Sequence, residues 1–189
     1  MSVEIVREYL KQFEKEQNIL EFDESTATVE LAARALGTEE ARIAKSLTFY
    51  KDDSAIVIVV AGDAKVDNKK FKDKFGLKAR MLAPEDTVKY IGHAIGGVCP
   101  FALPDNIEVY LDDSMKRFKT MFPACGSSNS AIELTLDELE KISKYKEWVD
   151  ICKNWWMRLP DNKKYFVNMI TNYFYNKRYI KNIKIYQRR

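Results

Sequence analysis

The sequence contains one segment that is apolar at every position and rich in β-branched residues, Ala55-Ile56-Val57-Ile58-Val59-Val60-Ala61. A strand of this kind is buried on both faces, which predicts a central place in a sheet. It follows the apolar residues 47–50 across Lys51-Asp52-Asp53, a polar sequence typical of a turn. The two apolar segments therefore predict a β-hairpin whose second strand crosses the middle of the domain.

The flanking segments predict helices and further strands around this hairpin. Apolar spacing and capping residues predict helices over residues 2–17, from Thr38 toward Lys45, and at 29–36, 67–76, 85–91, 135 onward and 146–154. Further strands are predicted at 19–22, 107–111, 120–124 and 131–134. Strands mixed with helices without a regular βαβ period indicate an α+β domain with a mixed sheet.

Charge is distributed unevenly along the 189 residues, although the formal net charge is only +3. Residues 158–189 contain nine basic residues and one acid, so this segment carries +8 and the other 157 residues carry −5. An acidic body with a basic tail raises nucleic acid, a membrane surface or an unusual terminus as explanations.

Composition limits the class of protein. A hydrophobic content of 46% and a charged content of 31% are globular values. No stretch approaches the roughly 18 apolar residues of a membrane helix, and the first residues lack a signal-peptide core. Three cysteines are too few for a disulfide scaffold and indicate a reducing compartment. We therefore expect a cytoplasmic protein that does not associate with membranes.

The most unusual stretch is the glycine-rich segment 91–103, in which Gly96 and Gly97 are adjacent. A tight turn explains it, and so does a loop whose backbone approaches a ligand closely. Lys45 also has two interpretations. It is either a surface lysine or a lysine aimed into a pocket, where it would hold a carbonyl or a phosphate.

Other catalytic chemistries are poorly represented. His93 is the only histidine, and no Cys-x-x-Cys spacing occurs, so neither a metal site nor a cofactor is expected. Cys99 could be a nucleophile, but with no partner visible in the sequence a buried apolar role is favoured. Any catalysis must then rely on backbone donors, a lysine or the substrate's own groups.

Six short segments, in this order, together resemble the YbaK/EbsC family of trans-editing aminoacyl-tRNA deacylases and the editing insertion domain of bacterial prolyl-tRNA synthetases. They are Ala32-Ala-Arg-Ala-Leu-Gly37, Arg42-Ile-Ala-Lys-Ser-Leu47, Val60-Ala-Gly-Asp-Ala-Lys-Val-Asp67, Gly92 with Gly96-Gly-Val-Cys-Pro100, Val109-Tyr-Leu-Asp112, and Ala124-Cys-Gly126 with Ile132-Glu-Leu-Thr135. The resemblance implies a curved mixed sheet flanked by helices, with residues 1–157 forming the deacylase domain.

The resemblance also implies an activity and a site. The activity would be hydrolysis of mischarged aminoacyl-tRNA carrying a small amino acid such as Cys, Ala, Ser or Thr, with prolyl-tRNA synthetase as a partner. Lys45, Gly96 and Gly97 would be catalytic. The implied substrate-binding residues are Phe22, Gly62, Asp63, Val98, Cys99, Pro100, Asp112, Gly126 and Ser127. Cys99 departs from the serine that is common there, so the choice of amino acid is not carried over.

Two questions stay open. A non-catalytic module of the same fold that binds a nucleotide or tRNA is the alternative to the enzyme. The tail, residues 158–189, lies beyond the resemblance. It is explained by a basic amphipathic helix that packs on the body or binds tRNA, by a membrane-surface helix, or by a non-native extension whose residues reflect A/T-rich codons.

Overall fold

The computed structural model describes residues 3–155, and the segment up to Lys153 forms one compact unit. The helices are α1 (Val3–Lys11), α2 (Val29–Leu36), α3 (Asn68–Phe75), α4 (Pro84–Ile91) and α5 (Leu136–Ser143). Short 3₁₀ turns cover Glu16–Asn18, Glu40–Arg42 and Asp113–Arg117. The strands are β1 (Leu20–Glu21), β2 (Ile43–Lys51), β3 (Ser54–Ala61), β4 (Lys65–Val66), β5 (Glu108–Asp112), β6 (Thr120–Pro123), β7 (Ser130–Ala131), β8 (Leu134–Thr135), β9 (Glu147–Val149) and β10 (Cys152–Lys153).

A curved six-stranded mixed sheet organises these elements in the order β8-β6-β2-β3-β5-β9. β2 and β3 form the antiparallel hairpin, whereas β6 pairs in parallel with β2, and β5 in parallel with β3. Two small ladders, β1 with β7 and β4 with β10, lie outside this sheet. The predicted α+β fold with a mixed sheet is therefore confirmed.

The hairpin confirms the role predicted for the apolar run. Every residue from Ala55 to Ala61 is at most 2% exposed, and β3 has a paired strand on each side. Asp52, in the two-residue turn, has φ +52°, a left-handed conformation that Asp adopts more readily than most residues. Burial of such a strand removes several β-branched side chains from water, and each fully buried side chain contributes roughly 1.5–3 kcal/mol of hydrophobic transfer free energy to folding.

The helix caps predicted at Thr28, Asp67 and Thr135 are confirmed. The Thr28 and Asp67 side chains accept hydrogen bonds from backbone amides at the starts of α2 and α3. Thr135 and Glu138 form the reciprocal capping box of α5. These local signals fix the helix bounds to within a residue.

Four predictions were wrong, and in the first of them tertiary pairing overrides local preference. Residues 146–154 form β9 and β10 rather than a helix, because the open edge of β5 pairs with 147–149. The expected helix from Thr38 shrinks to the turn Glu40–Arg42, and Lys45 lies in β2. The strand predicted at 131–134 is divided between β7 and β8, and the first helix ends at Lys11 rather than at residue 17.

The alternatives for residues 158–189, including the predicted helical extension, lie outside the described residues. Within residues 3–155 no helix is both long enough and apolar enough to span a bilayer.

Candidate functional site

A cavity of about 250 Å³ lies beside the first half of β2. Its walls come from parts of five segments, 26–32, 43–48, 81–87, 95–98 and 122–131, and most of the side chains that line it are small or apolar. Met81 and Ile95 on its wall are 57% and 62% exposed, so the cavity reaches the surface there. It is smaller than the roughly 300–1,000 Å³ pockets of drug-sized ligands, which suits a small ligand group.

An interruption in strand pairing creates this cavity. β6 pairs with β2 only at Ile43 and Ala44, and the next pairing on that edge joins Phe49 to Met81. Among the described residues no paired strand covers this edge from Lys45 to Leu47, and the Thr48 carbonyl already accepts from the Leu82 amide at 3.1 Å. Backbone amides and carbonyls at such an edge are available to a ligand.

Lys45 lies on this stretch of β2 and, among the described residues that line the cavity, is the only titratable one. Its Nζ donates to the carbonyl of Gly62 at 3.1 Å and to the carbonyl of Ala64 at 2.9 Å. Because an ammonium has three N–H donors, one remains for a ligand. Burial lowers the pKa of Lys45 from its ordinary value of 10.5. The pocket interpretation of Lys45 is therefore the one that the geometry favours.

The glycine loop forms the part of the wall that packs beside Ala27, just before α2. Gly96 and Val98 line the cavity. Gly96 has φ +89°, and a Cβ there would lie 2.9 Å from the Cβ of Ala27. A Cβ on Gly97 would meet the backbone of Gly126 and Ser127 at 2.9 Å. Gly97 and Gly126 do not line the cavity themselves, but their contact holds the loop in place beside it.

Cys99 and Pro100 are buried and do not line the cavity. The Cys99 Sγ lies 3.6 Å from Nε2 of the fully buried His93 and 3.8 Å from the carbonyl of Phe101. His93, which the sequence alone does not identify as a partner of Cys99, therefore lies next to it in the structure. Burial nevertheless raises the pKa of the Cys99 thiol to about 12, so the thiolate is disfavoured. The buried role expected for Cys99 is confirmed, and its assignment as a substrate contact is not supported.

Gly62, Asp63 and Asp112 support the site from behind rather than lining it. Gly62 packs against the Glu40 carbonyl, leaving no room for a Cβ. Both guanidinium nitrogens of Arg117 donate to the Asp63 carboxylate, one of them at 3.0 Å. The fully buried Asp112 accepts from the amides of Ser114 at 2.9 Å and Ile151 at 2.8 Å. These two carboxylates therefore bond to the framework, and a direct contact with substrate stays a prediction for both.

Phe22 and Ser127 support the wall formed by Ser130 and Ala131 indirectly. The Phe22 amide donates to the Asn129 carbonyl at 2.9 Å, and the Asn129 side chain donates to the Phe22 carbonyl at 2.8 Å. The Ser127 hydroxyl bonds to Ser130 Oγ at 2.7 Å, and Ser130 lines the cavity. Both residues thus position the wall without forming it.

Ser46 is the residue that sequence reasoning missed. Its Oγ is buried, and within residues 3–155 no other side-chain oxygen or nitrogen that lines the cavity is both buried and without a hydrogen-bond partner. Buried polar groups in folded proteins almost always have a partner, so an unpartnered hydroxyl on a residue that lines the cavity marks a candidate ligand contact. The only sequence feature that could have indicated a role for Ser46 is its position next to Lys45.

The comparisons with known proteins agree with this geometry. A sequence profile of the aminoacyl-tRNA editing domain matches residues 23–142. The chain is 55% identical over 156 residues to YwhH of Bacillus subtilis (strain 168), which covers 82% of this chain and 99% of that protein. Over 139 residues it is 29% identical to the proline–tRNA ligase of Thermosipho melanesiensis, covering 73% of this chain and 24% of the ligase.

Two further matches connect the chain to editing proteins. It is 28% identical over 115 residues to EbsC of Enterococcus faecalis, named as a candidate Cys-tRNA(Pro)/Cys-tRNA(Cys) deacylase, covering 60% of this chain and 70% of that protein. A solved structure described as a candidate trans-editing enzyme for prolyl-tRNA synthetase superposes with a TM-score of 0.73 at 27% identity, covering 80% of this chain and 97% of that one. The chain therefore belongs to the aminoacyl-tRNA editing domain family, in the YbaK/EbsC group to which its sequence segments pointed.

Proposed function

We propose that this protein hydrolyses the ester bond of mischarged aminoacyl-tRNA and releases a small amino acid. The observation that carries the proposal is Lys45, whose ammonium is fixed by two backbone carbonyls at the wall of a small cavity. Family membership supports the activity, and the names of EbsC and of the trans-editing relative support aminoacyl-tRNA as the substrate. Prolyl-tRNA synthetase is the partner that the ligase matches favour.

The chemistry requires little from the protein. Water attacks the ester carbonyl carbon, the bond from that carbon to the ribose oxygen breaks, the ribose oxygen takes a proton, and the amino acid leaves as a carboxylate. Because Lys45 donates two hydrogen bonds to carbonyls, it acts as a charged donor rather than a base. Its remaining N–H would stabilise the negative charge that develops on the ester oxygens, a type of interaction worth about 2.7–4 kcal/mol elsewhere.

The lining of the cavity favours selection by size. Alanines at positions 27, 32, 44, 124 and 131 contribute to its walls. One extra methylene in such a pocket discriminates by only about 1–3 kcal/mol, which is the situation in which a separate editing step is useful. The Ser46 hydroxyl would then accept or donate one hydrogen bond to a polar group of the substrate.

The alternative is a non-catalytic module that binds the same ligand. It is favoured by one observation: among the described residues that line the cavity, none is a carboxylate, histidine or cysteine. The enzyme remains the better proposal, because the aminoacyl ester is already activated and the neighbouring ribose hydroxyl can assist its hydrolysis.

Deacylation assays on a panel of charged tRNAs distinguish the enzyme from the non-catalytic binding module. Wild-type protein is incubated with tRNAs charged with Cys, Ala, Ser and Thr, alongside Lys45→Ala and the exposed-surface variant Lys119→Ala. We expect hydrolysis of at least one ester by wild type and Lys119→Ala, and a loss of roughly 10²–10³-fold in Lys45→Ala. Tight binding of an aminoacyl-adenosine analogue without turnover on any substrate would overturn the proposal in favour of the module.

A further inference from the structure

Two lysines oppose each other directly in the small ladder outside the main sheet. In the antiparallel pairing of β4 with β10, Lys65 is the register partner of Lys153. Both residues are exposed, and within residues 3–155 neither ammonium has an ion-pair partner. Like charges directly opposite each other destabilise an antiparallel pair. A bound anion between the two ammonium groups would remove this repulsion.

The nearby carboxylates are committed to other groups. Asp67 accepts hydrogen bonds from the amides of Lys69 and Lys70, and these bonds, with a smaller contribution from Lys153, lower the pKa of Asp67. The Asp150 carboxylate binds Lys70 Nζ at 2.8 Å. Asp63 binds Arg117, as described above. Within residues 3–155 no salt bridge joins any of these carboxylates to Lys65 or Lys153.

The pair lies next to the candidate active site. The Ala64 carbonyl that accepts from Lys45 Nζ at 2.9 Å belongs to the residue immediately before Lys65. Burial lowers the pKa of Lys45, and the positive charge of Lys65 is among the smaller effects that lower it further. The positive charge of Lys65 therefore lies within electrostatic range of the Lys45 ammonium.

We propose that Lys65 and Lys153 together bind phosphodiester groups of the tRNA 3′ end while its ester lies at Lys45. The inference rests on the proposed function and adds a substrate contact to it. The ribose that carries the amino acid is linked to a phosphate, and that phosphate is the first charge outside the cavity. An anion between the two ammonium groups removes their repulsion and gains two charge-assisted hydrogen bonds.

The test compares two substrates that differ only in phosphates. Wild type and the double variant Lys65→Gln/Lys153→Gln, both as the full chain, are assayed on aminoacyl-tRNA and on the matching aminoacyl-adenosine, which has no phosphate. We expect the double variant to lose roughly tenfold in kcat/KM on aminoacyl-tRNA and to be unchanged on aminoacyl-adenosine. The slope of log affinity for tRNA against log salt should flatten by about 0.7 for each phosphate that the variant no longer binds.

Two matched variants control for charge and for folding. Lys78→Gln/Lys119→Gln removes the same total charge from other exposed positions, and Lys65→Arg/Lys153→Arg keeps the charge at the site. The arginine variant should retain activity on aminoacyl-tRNA, and the Lys78/Lys119 variant should lose less than the Lys65/Lys153 variant. An equal loss on both substrates, or an equal loss in the two neutralised variants, would overturn the phosphate site.

Failure of the deacylase proposal would be seen separately. Uncharged tRNA carries the same phosphates without an ester, so its binding to the same variants is measured by fluorescence anisotropy. If wild type hydrolyses no ester but the Lys65→Gln/Lys153→Gln variant binds uncharged tRNA more weakly than its charge control, the phosphate site stands without the activity. Equal binding by the two variants would refute the site whatever the outcome of the deacylation panel.

Discussion

Gly97 lies against Gly126 so closely that a Cβ on Gly97 would come within 2.9 Å of the carbonyl group of Gly126. This contact joins the glycine loop to the segment 126–131, so two walls of the cavity are held at a fixed separation. Gly126 itself has φ +86°, which requires a residue that tolerates the left-handed region. The pair explains why two distant glycine-bearing segments belong to one site although neither glycine touches the cavity.

The first prediction concerns Gly97→Ala. Because the added methyl group meets backbone rather than a flexible side chain, the loop must move, and we expect a loss of about 1–3 kcal/mol in the free energy of unfolding. Deacylation should fall as well, since Gly96 and Val98 move with the loop. Urea unfolding and the deacylation assay measure the two effects.

Gly37→Ala is the comparison variant for Gly97→Ala. Gly37 has φ +62° with nothing within 4 Å of a Cβ, so its replacement introduces backbone strain without a steric clash. It should lower stability without a specific loss of activity. Wild-type activity and stability in Gly97→Ala would refute the bracing role.

Ser46→Ala should separate stability from function. The Ser46 hydroxyl is buried without a partner, so its removal should leave the free energy of unfolding unchanged or raise it by about 1 kcal/mol. The same change should lower kcat/KM for aminoacyl-tRNA roughly five- to tenfold if the hydroxyl bonds to substrate. Ser130→Ala is the matched control, because Ser130 also lines the cavity but its hydroxyl is bonded to Ser127. A destabilised Ser46→Ala variant with full activity would show that the hydroxyl is structural.

Local chemistry explains which parts of the fold could be predicted. The β2–β3 hairpin and the caps at Thr28, Asp67 and Thr135 are encoded by neighbouring residues, and all were found where expected. Residues 146–154 were mistaken for a helix, because their strand state depends on the open edge of β5, which is distant in sequence.

The residues of the candidate site also fall into two groups, those that a local segment of sequence identifies and those that depend on tertiary structure. Lys45 and the glycine loop were identified from the sequence segments. The cavity itself, with Ser46 and the segment around Met81, depends on where β6 stops pairing with β2, and no single segment encodes that. The family resemblance implies that Asp63 and Asp112 contact substrate, whereas in the structure tertiary contacts bond both carboxylates.

A third prediction tests the thiol at the glycine loop. Cys99 is fully buried with a pKa raised to about 12, so it should resist alkylation by iodoacetamide at neutral pH until the protein unfolds. Cys99→Ala should retain deacylation within a few-fold, with a stability loss of about 1 kcal/mol from the small cavity that replaces the sulfur. Abolished hydrolysis in a folded Cys99→Ala variant would instead make the Cys99–His93 pair catalytic.

The last prediction is the pH dependence that Lys45 imposes. Burial is the largest effect that lowers the Lys45 pKa below 10.5, so the folded protein loses this proton at a lower pH than an unfolded chain does. Because the charged form is the donor, the enzymatic rate above the spontaneous rate should fall as pH rises through the lowered pKa. Lys45→Arg should move this fall to higher pH, since a guanidinium stays charged.

The stability effect of the same group has the opposite sign. Between the folded and unfolded pKa values the unfolded chain binds more protons at Lys45, so the stability of wild type relative to Lys45→Met should rise with pH across that window. Unfolding free energies measured for the two proteins at matched pH values check the sign. A wild-type rate that persists above pH 10.5, or an alkaline limb at the same pH in Lys45→Arg, would show that the charge of Lys45 does not limit the reaction.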